Sequence, residues 1–466
     1  MVVILLVEKR GKSSTSERVS SHRQGSLPIF PPLVEAERST FAGPNAGAMQ
    51  TRTTPIRPAT SQEAIALEDR YGAHNYHPIP VVLERGEGVL VWDMEGKRYY
   101  DFLSAYSAVN QGHCHPRIVR ALQEQAGRLT LTSRAFHNNL LGQYEQYITS
   151  FFGYDKVLPM NTGVEGGETA LKLARRWGYR VKGIPSNQAK VVFARGNFWG
   201  RTIAAISSSS DPDSYTDFGP FLPGYLTVPY NDLSALEESF RSDPHIAAFM
   251  VEPIQGEAGV VVPDSGYLKG IRALCDQYRV LLIADEVQTG LARTGAMLAC
   301  DHEHVRPDLL VLGKALSGGI LPVSAVLADD DIMLTIGPGE HGSTYGGNPL
   351  ACAVAMEALQ VLRDEQLAER AAALGAVFRK EMEKLMTETD LITLVRGKGL
   401  LNAIVVNDLP EGKTAWNLCL GFAERGLLAK PTHGNIIRFA PPLVITESQL
   451  MECVDIIRET VIAHPR

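Results

Sequence analysis

The chain has 466 residues, 45% hydrophobic and 21% charged, with a formal net charge of -7. Those fractions belong to a soluble globular protein, and the length suffices for a large core and a smaller one. No Lys/Arg run marks a nucleic-acid surface, and the six cysteines include no Cys-x-x-Cys pair. A nucleic-acid partner, a disulfide framework and a metal site are therefore not expected.

The apolar run at residues 1–7 is too short, and wrongly flanked, for a secretory signal. Residues 8–55 are rich in Ser, Arg, Pro and Thr but also carry Glu17, Glu35 and Glu37, unlike an acid-poor transit peptide. Residues 1–55 are read as a disordered extension. A cytoplasmic location is expected, with the mitochondrial matrix as the alternative. Order is expected from about Leu67.

Two extended runs, 89–93 and 97–100, flank a turn at Asp93-Met94-Glu95-Gly96 and predict a hairpin. Residues 56–100 are assigned to a segment that packs on a smaller domain. From 101 to 349, short β-branched runs at 190–193, 247–251, 280–284 and 309–312 alternate with helical patterns. Apolar on both parities, they fit strands covered on both faces of a mainly parallel α/β sheet. Residues 308–327 hold Lys314 and three glycines near their middle, which a membrane span tolerates poorly. They read as strand, loop, strand, and no membrane partner is expected. Residues 350–387 turn helical, and strands return at 401–406 and 436–439. Residues 350–466 are expected to form a smaller α+β domain.

The chemistry gathers at strand ends. The run Leu281-Leu-Ile-Ala-Asp285 delivers an acid to the carboxyl edge of the sheet, where open α/β folds bind ligands. Leu309-Leu-Val-Leu312-Gly313-Lys314 delivers a lysine in the same way. Together they suit a pyridinium cofactor: the acid keeps the ring nitrogen protonated and the lysine forms a Schiff base. Either residue alone is more often a cap or a solvated side chain. Gly313-Lys314 lacks the upstream glycine of a P-loop, and no G-x-G-x-x-G follows a strand, so a nicotinamide enzyme is disfavoured.

Asn161-Thr162-Gly163-Val164-Glu165 has capping-box spacing, and free amides at such a helix start take phosphate. Gly166 and Gly167 cost about 1 kcal/mol each against Ala, which predicts a close approach by a backbone or a ligand. Phe198 and Trp199 offer stacking faces, although one of such a pair is commonly core. The loop His341-Gly342-Ser343-Thr344 offers hydroxyls to phosphate oxygens. His113-Cys114-His115 and His302-Glu303-His304 lack a third ligand at a known spacing and are not read as metal sites.

Jointly these motifs resemble the class III, or ω-, branch of the fold-type-I aminotransferases, from about Tyr71 to the C-terminus. The specific stretches include EPIQGEAGV (252–260), ADEVQTGLARTG (284–295), GEHGSTYGGNP (339–349) and AKPTHGNIIRFAPP (429–442). The resemblance implies pyridoxal 5'-phosphate (PLP) and a mainly parallel seven-stranded sheet with a smaller α+β domain. It implies amino-acid and 2-oxo-acid substrates and a homodimer or dimer-based oligomer.

It further implies that Lys314 carries the cofactor and Asp285 pairs with its ring nitrogen. Phe198 and Val287 would lie against the ring, and Gln288 would approach its 3-hydroxyl. Gly163 and Val164 would bind the phosphate, as would Ser343 and Thr344 from a neighbouring subunit. For substrate, it implies Arg201 with Tyr76, Tyr106 and Trp199 for one carboxylate, Arg438 for another, and Glu257 masking Arg438. The reaction implied is transfer of the δ-amine of L-ornithine to 2-oxoglutarate, with acetylornithine or 4-aminobutyrate as the alternative amine. Where the family usually has Ala, this chain has Gly166. A PLP-fold binding subunit without catalysis is disfavoured by the joint presence of Lys314 and Asp285.

Overall fold

A computed structural model describes residues 57–409 and 411–464; the expected extension at 1–55 lies outside them. The first element is a helix, Ser61–Tyr71, whose N-cap Thr60 accepts from the Glu63 amide. Order thus begins ahead of Leu67, because a capped, polar helix carries little of the hydrophobic periodicity that marks an element in sequence.

The centre is a seven-stranded sheet. In spatial order its strands are Lys156–Met160, Ser324–Ala328, Leu309–Leu312, Leu281–Asp285, Ile246–Val251, Lys190–Ala194 and Tyr225–Val228. Only Ser324–Ala328 runs against the others. The inner strands are buried along their whole length because helices cover both faces. The two-residue period divides their side chains. Phe193, Met250, Ile283 and Val311 pack under the helix Gly163–Trp177, while Val192, Phe249, Leu282 and Ala284 pack with Leu236 and Ile271 on the other side. Residues 308–327 form strand, a short 3-10 turn at Lys314–Ser317, then strand.

Two smaller sheets flank this one. Leu83–Glu87, Leu90–Asp93 and Arg98–Asp101 form an antiparallel meander whose last strand pairs with Leu427–Leu428; its second turn spans 94–97, one residue later than the expected 93–96, because Asp93 closes its strand. The other holds Ile392–Lys398, Leu401–Val406, Ile436–Phe439 and Lys430–Thr432, all antiparallel. Helices Pro349–Asp364 and Leu367–Met386 occupy the helical stretch read from sequence. Among the described residues no helix is long and apolar enough to cross a membrane.

The parallel strands present their carboxyl ends to one edge. That edge receives Thr162 and Gly163, the 195–202 loop, Glu252, Asp285 and Lys314.

Candidate active site

A cavity of about 220 Å³ opens at this edge, lined by Gly163, Val164, Phe198, Trp199, Gly200, Glu252, Asp285, Val287, Gln288 and Lys314. Most of the sequence-derived cofactor residues therefore meet in one place, each for a local reason. Thr162 caps the helix Gly163–Trp177: its hydroxyl accepts from the Glu165 amide, and the Glu165 carboxylate accepts from the Thr162 amide. The box leaves the Gly163 and Val164 amides without intrahelical partners at the positive end of the helix. Gly163 lies against Val287, where a Cβ would come within 2.9 Å of Val287 Cγ1.

Asp285 is 5% exposed and accepts from the Val287 amide at 3.1 Å. Burial pushes its carboxyl up to about 6. Lys314 sits in left-handed backbone, φ 44°, directly after its strand. Burial pushes its ammonium pKa down, against the pull of Glu257 and Asp285. A lysine whose desolvation outweighs the pull of its carboxylate neighbours is primed to act as an amine rather than as a fixed cation.

Next to them lies a charge relay of three side chains. Arg438, 2% exposed on the strand Ile436–Phe439, donates from Nη1 to Glu257 Oε1 at 2.9 Å and Gln288 Oε1 at 3.1 Å. Gln288 Nε2 donates to the same Glu257 oxygen at 3.0 Å. Burial alone would raise the Glu257 pKa; Arg438 and Gln288 more than offset it and hold the group ionised. The Arg438 guanidinium also lies 5.1 Å from the Tyr106 ring centre.

Tyr76 and Arg201 line a separate, outer cavity of about 660 Å³ with Asp213, Ser214 and Phe218. Arg201 is exposed, with its guanidinium 5.4 Å from the Phe198 ring centre. Trp199 splits its role. It lines the cavity, but it is 6% exposed, stacks on Phe193 at 6.0 Å and donates to Ser208 Oγ at 2.8 Å. Ser343 and Thr344 do not line the cavity of their own chain; Ser343 Oγ instead accepts from Asn161 Nδ2 and the Gly346 amide. The close approach expected of a backbone or a ligand at the paired glycines is made by side chains instead. A Cβ at Gly167 would come within 2.7 Å of Trp199, and one at Gly166 within 3.0 Å of Val311. The histidine pairs diverge: His113 bonds Asp101, His115 bonds Glu365, and His302 reaches Thr294.

Sequence reasoning missed Glu252. It ends the strand Ile246–Val251, lines the cavity, and accepts from the Phe198 amide at 3.0 Å and the Gly256 amide at 3.2 Å. Burial, then the neighbouring Asp285, pushes its carboxyl up to about 8. The signal was available: like Asp285, it is an acid directly after an all-apolar run.

A mainly parallel α/β sheet that presents a buried acid and a desolvated lysine beside a helix N-terminus defines an aminotransferase of fold type I. The class-III aminotransferase model matches residues 71–461, and the chain belongs to that family, whose members are PLP-dependent. It is 64% identical over 419 residues to the mitochondrial ornithine aminotransferase of Rattus norvegicus, covering 90% of this chain and 94% of that one. The Drosophila melanogaster mitochondrial ornithine aminotransferase is 63% identical over 428 residues, covering 92% and 97%.

Among solved structures, the Toxoplasma gondii ornithine aminotransferase, with PLP partially occupying its active site, superposes with TM-score 0.85 at 51% identity. That match covers 87% of this chain and 95% of the other. An acetylornithine aminotransferase from Elizabethkingia anophelis gives TM-score 0.81 at 62% identity, covering 87% and 100%. The chain is accordingly an aminotransferase of small amino and 2-oxo acids.

Proposed function

We propose that this chain is an ornithine δ-aminotransferase, converting L-ornithine and 2-oxoglutarate to L-glutamate 5-semialdehyde and L-glutamate. The observation that carries the reading is the relay of Arg438, Glu257 and Gln288 beside Lys314. An enzyme that takes a side-chain amine from one substrate and an α-amine from the next must hide its α-carboxylate receptor during the first half-reaction. A buried arginine neutralised by a carboxylate that can swing away meets that need.

The residues present fit PLP. Gly163 and Val164 would hold its phosphate through free amides. Phe198 and Val287 would take the ring faces, Gln288 the 3-hydroxyl and Asp285 the ring nitrogen. The cavity walls they form are in place. When bound, the cofactor supplies an electron sink for charge left on the amine-bearing carbon.

The remaining work falls to the chain. Lys314 Nζ takes the proton from that carbon and returns it, and its lowered pKa keeps a base available. Arg201, with Tyr76 and Tyr106, takes the α-carboxylate of ornithine, which places the distal amine at Lys314; Trp199, whose N–H is held by Ser208, contributes a wall of the cavity only. Arg438 takes the α-carboxylate of glutamate or 2-oxoglutarate by the bidentate fork that suits arginine. Ser343 and Thr344, which do not reach their own cavity, complete the phosphate site of a second copy, so the working unit is a homodimer.

Half-reactions followed by the visible absorbance of bound cofactor test this. Ornithine is expected to convert the cofactor fully, with semialdehyde released. Turnover of acetylornithine or 4-aminobutyrate in its place would overturn the substrate assignment. The acetylornithine reading has support in the name of the E. anophelis relative. For location, the names of the rat and fly relatives support a mitochondrial place and lend no support to the cytoplasm. Fractionation of cells expressing the full chain distinguishes the two.

A further inference from the structure

The segment that carries Tyr106 has an unusual backbone. Ser104, Ala105, Tyr106 and Ser107 all have positive φ, at 48°, 46°, 60° and 72°. None is glycine. Ala105 and Tyr106, with ψ of 47° and 42°, are left-handed helical. L-residues adopt this conformation singly and at a cost, so a run of them persists only where the surroundings impose it. Packing inside the turn does not account for it: Ala105 is exposed, and the buried hydroxyls of Ser104 and Ser107 have no hydrogen-bond partner.

Asp101 supplies the constraint at the entry. Its Oδ1 accepts from both the Leu103 and Ser104 amides at 2.9 Å, fixing the residues that lead into the turn. Its Oδ2 is held by His113 Nε2 at 2.8 Å, and His113 is anchored through its backbone to Gly88. The same stretch is tied to the strand of Arg438. The Phe102 carbonyl accepts from the Ala440 amide at 2.8 Å, and the Asn110 carbonyl accepts from the Leu443 amide at 2.8 Å. The turn therefore presents Tyr106 at a fixed position over the Arg438 guanidinium, 5.1 Å from the ring centre.

We propose that Asp101 is a positioning residue for amine selection: it holds the left-handed turn 104–107 that sets Tyr106 against Arg438 and Glu257. The proposal rests on the aminotransferase reading and on Tyr106 facing substrate. It does not require that ornithine be the preferred amine.

The test is a double-mutant cycle in the holoenzyme, with kcat/KM measured for ornithine, 4-aminobutyrate and glutamate. Tyr106→Ile sets the reference shift in preference among the three. Asp101→Ala is expected to shift the preference in the same direction, by about fivefold or more, and to add nothing on the Tyr106→Ile background. Asp101→Asn, which keeps an acceptor for the two amides, should restore much of the wild-type preference.

Ala105 provides a route that leaves Asp101 intact. Ala105→Val, β-branched and so poorly suited to positive φ, should reproduce the shift, while Ala105→Gly should leave the preference unchanged. If Asp101→Ala lowers all three values by a common factor, or its effect adds fully to that of Tyr106→Ile, Asp101 is merely structural and the proposal is overturned. If Asp101→Ala does not fold, the Ala105 pair decides: equal preferences in the Val and Gly variants overturn it. Failure of wild type to use ornithine would sink the substrate assignment alone, since the cycle is read on whichever amines it accepts.

Discussion

At the scale of single residues, two buried carboxylates at one strand edge and a half-buried third beside them are held in different states by their neighbours. Glu257 has a guanidinium against it and stays ionised; Asp285 has one backbone amide; Glu252 has two amides and a carboxylate neighbour. Glu257→Ala leaves Arg438 unmasked in both half-reactions. The expected outcome is a rise of about tenfold in kcat/KM for glutamate relative to ornithine, roughly 1.4 kcal/mol of changed discrimination. Stopped-flow half-reactions measure it, and an unchanged ratio would show that Glu257 is no gate. Glu252 gives a prediction for stability. Its folded pKa is raised to about 8 from 4.5. Below the ordinary value both folded and unfolded chains hold the proton. As pH rises through the window up to the folded value, the unfolded chain releases its proton first, and stability falls by about 1.4 kcal/mol per pH unit. Glu252→Gln removes that slope. Denaturant titrations at about pH 5 and about pH 8 should therefore show the variant gaining on wild type at the higher pH. An equal difference at both would refute the raised pKa.

At the scale of elements, what was legible in sequence was what short-range chemistry determines. The capping box at Thr162 and Glu165 needs only spacing, and the strands at 246–251 and 281–285 need only unbroken apolar runs. Ile392–Lys398 was missed because it is a half-exposed strand at the sheet edge with no clean alternation. The turn at 104–107 was missed because Ser-Ala-Tyr-Ser carries no residue that announces positive φ; its conformation is imposed by Asp101, outside the turn. The two glycines near the start of the helix Gly163–Trp177 show the same limit. Sequence indicated that something approaches them, while the identity of the neighbour, Trp199 for Gly167 and Val311 for Gly166, comes from elsewhere in the chain. The two sites should respond differently to alanine. At Gly167 the new Cβ would stand 2.7 Å from the rigid, stacked indole of Trp199. Overpacking of about 1–3 kcal/mol then exceeds the helix-propensity gain of about 1 kcal/mol, and Phe198 moves with Trp199. Gly167→Ala is expected to lower both Tm and cofactor affinity. At Gly166 the contact is with one methyl at 3.0 Å, which can shift slightly. Gly166→Ala should be neutral or mildly stabilising by thermal melts, and a large loss there would contradict the packing account.

At the scale of the whole molecule, the site depends on chain segments far apart in sequence being held in register, and one residue joins three of them. Arg293 follows the Asp285 strand within the ADEVQTGLARTG stretch, and it is 0% exposed. Its Nε donates to Asn110 Oδ1 at 3.1 Å, and its Nη1 donates to the Leu400 carbonyl at 3.0 Å and the Pro441 carbonyl at 2.6 Å. Each of these acceptors is a neutral oxygen, so the guanidinium is fixed by geometry rather than by a counter-ion, and burial lowers its pKa to about 9. The motif made Asp285 legible in sequence through its chemistry, and Gln288 through the family resemblance. Arg293 stayed unread because its partners at 110, 400 and 441 are adjacent only after folding. Lysine keeps the charge but has one nitrogen, which cannot serve acceptors arranged for a planar fork. Arg293→Lys leaves buried carbonyls unpaired, at about 1–3 kcal/mol each. It also loosens the strand end that carries Arg438, which stands just before Pro441. Two effects should therefore appear together: a fall in unfolding free energy of about 3 kcal/mol in denaturant titration, and a KM for 2-oxoglutarate that rises more than the KM for ornithine. A loss of stability with both KM values unchanged would mean that Arg293 supports the core without setting the register of Arg438. A selective KM effect would place the control of the second half-reaction in the contact between the strand sheet and the C-terminal segment, remote from the atoms that react.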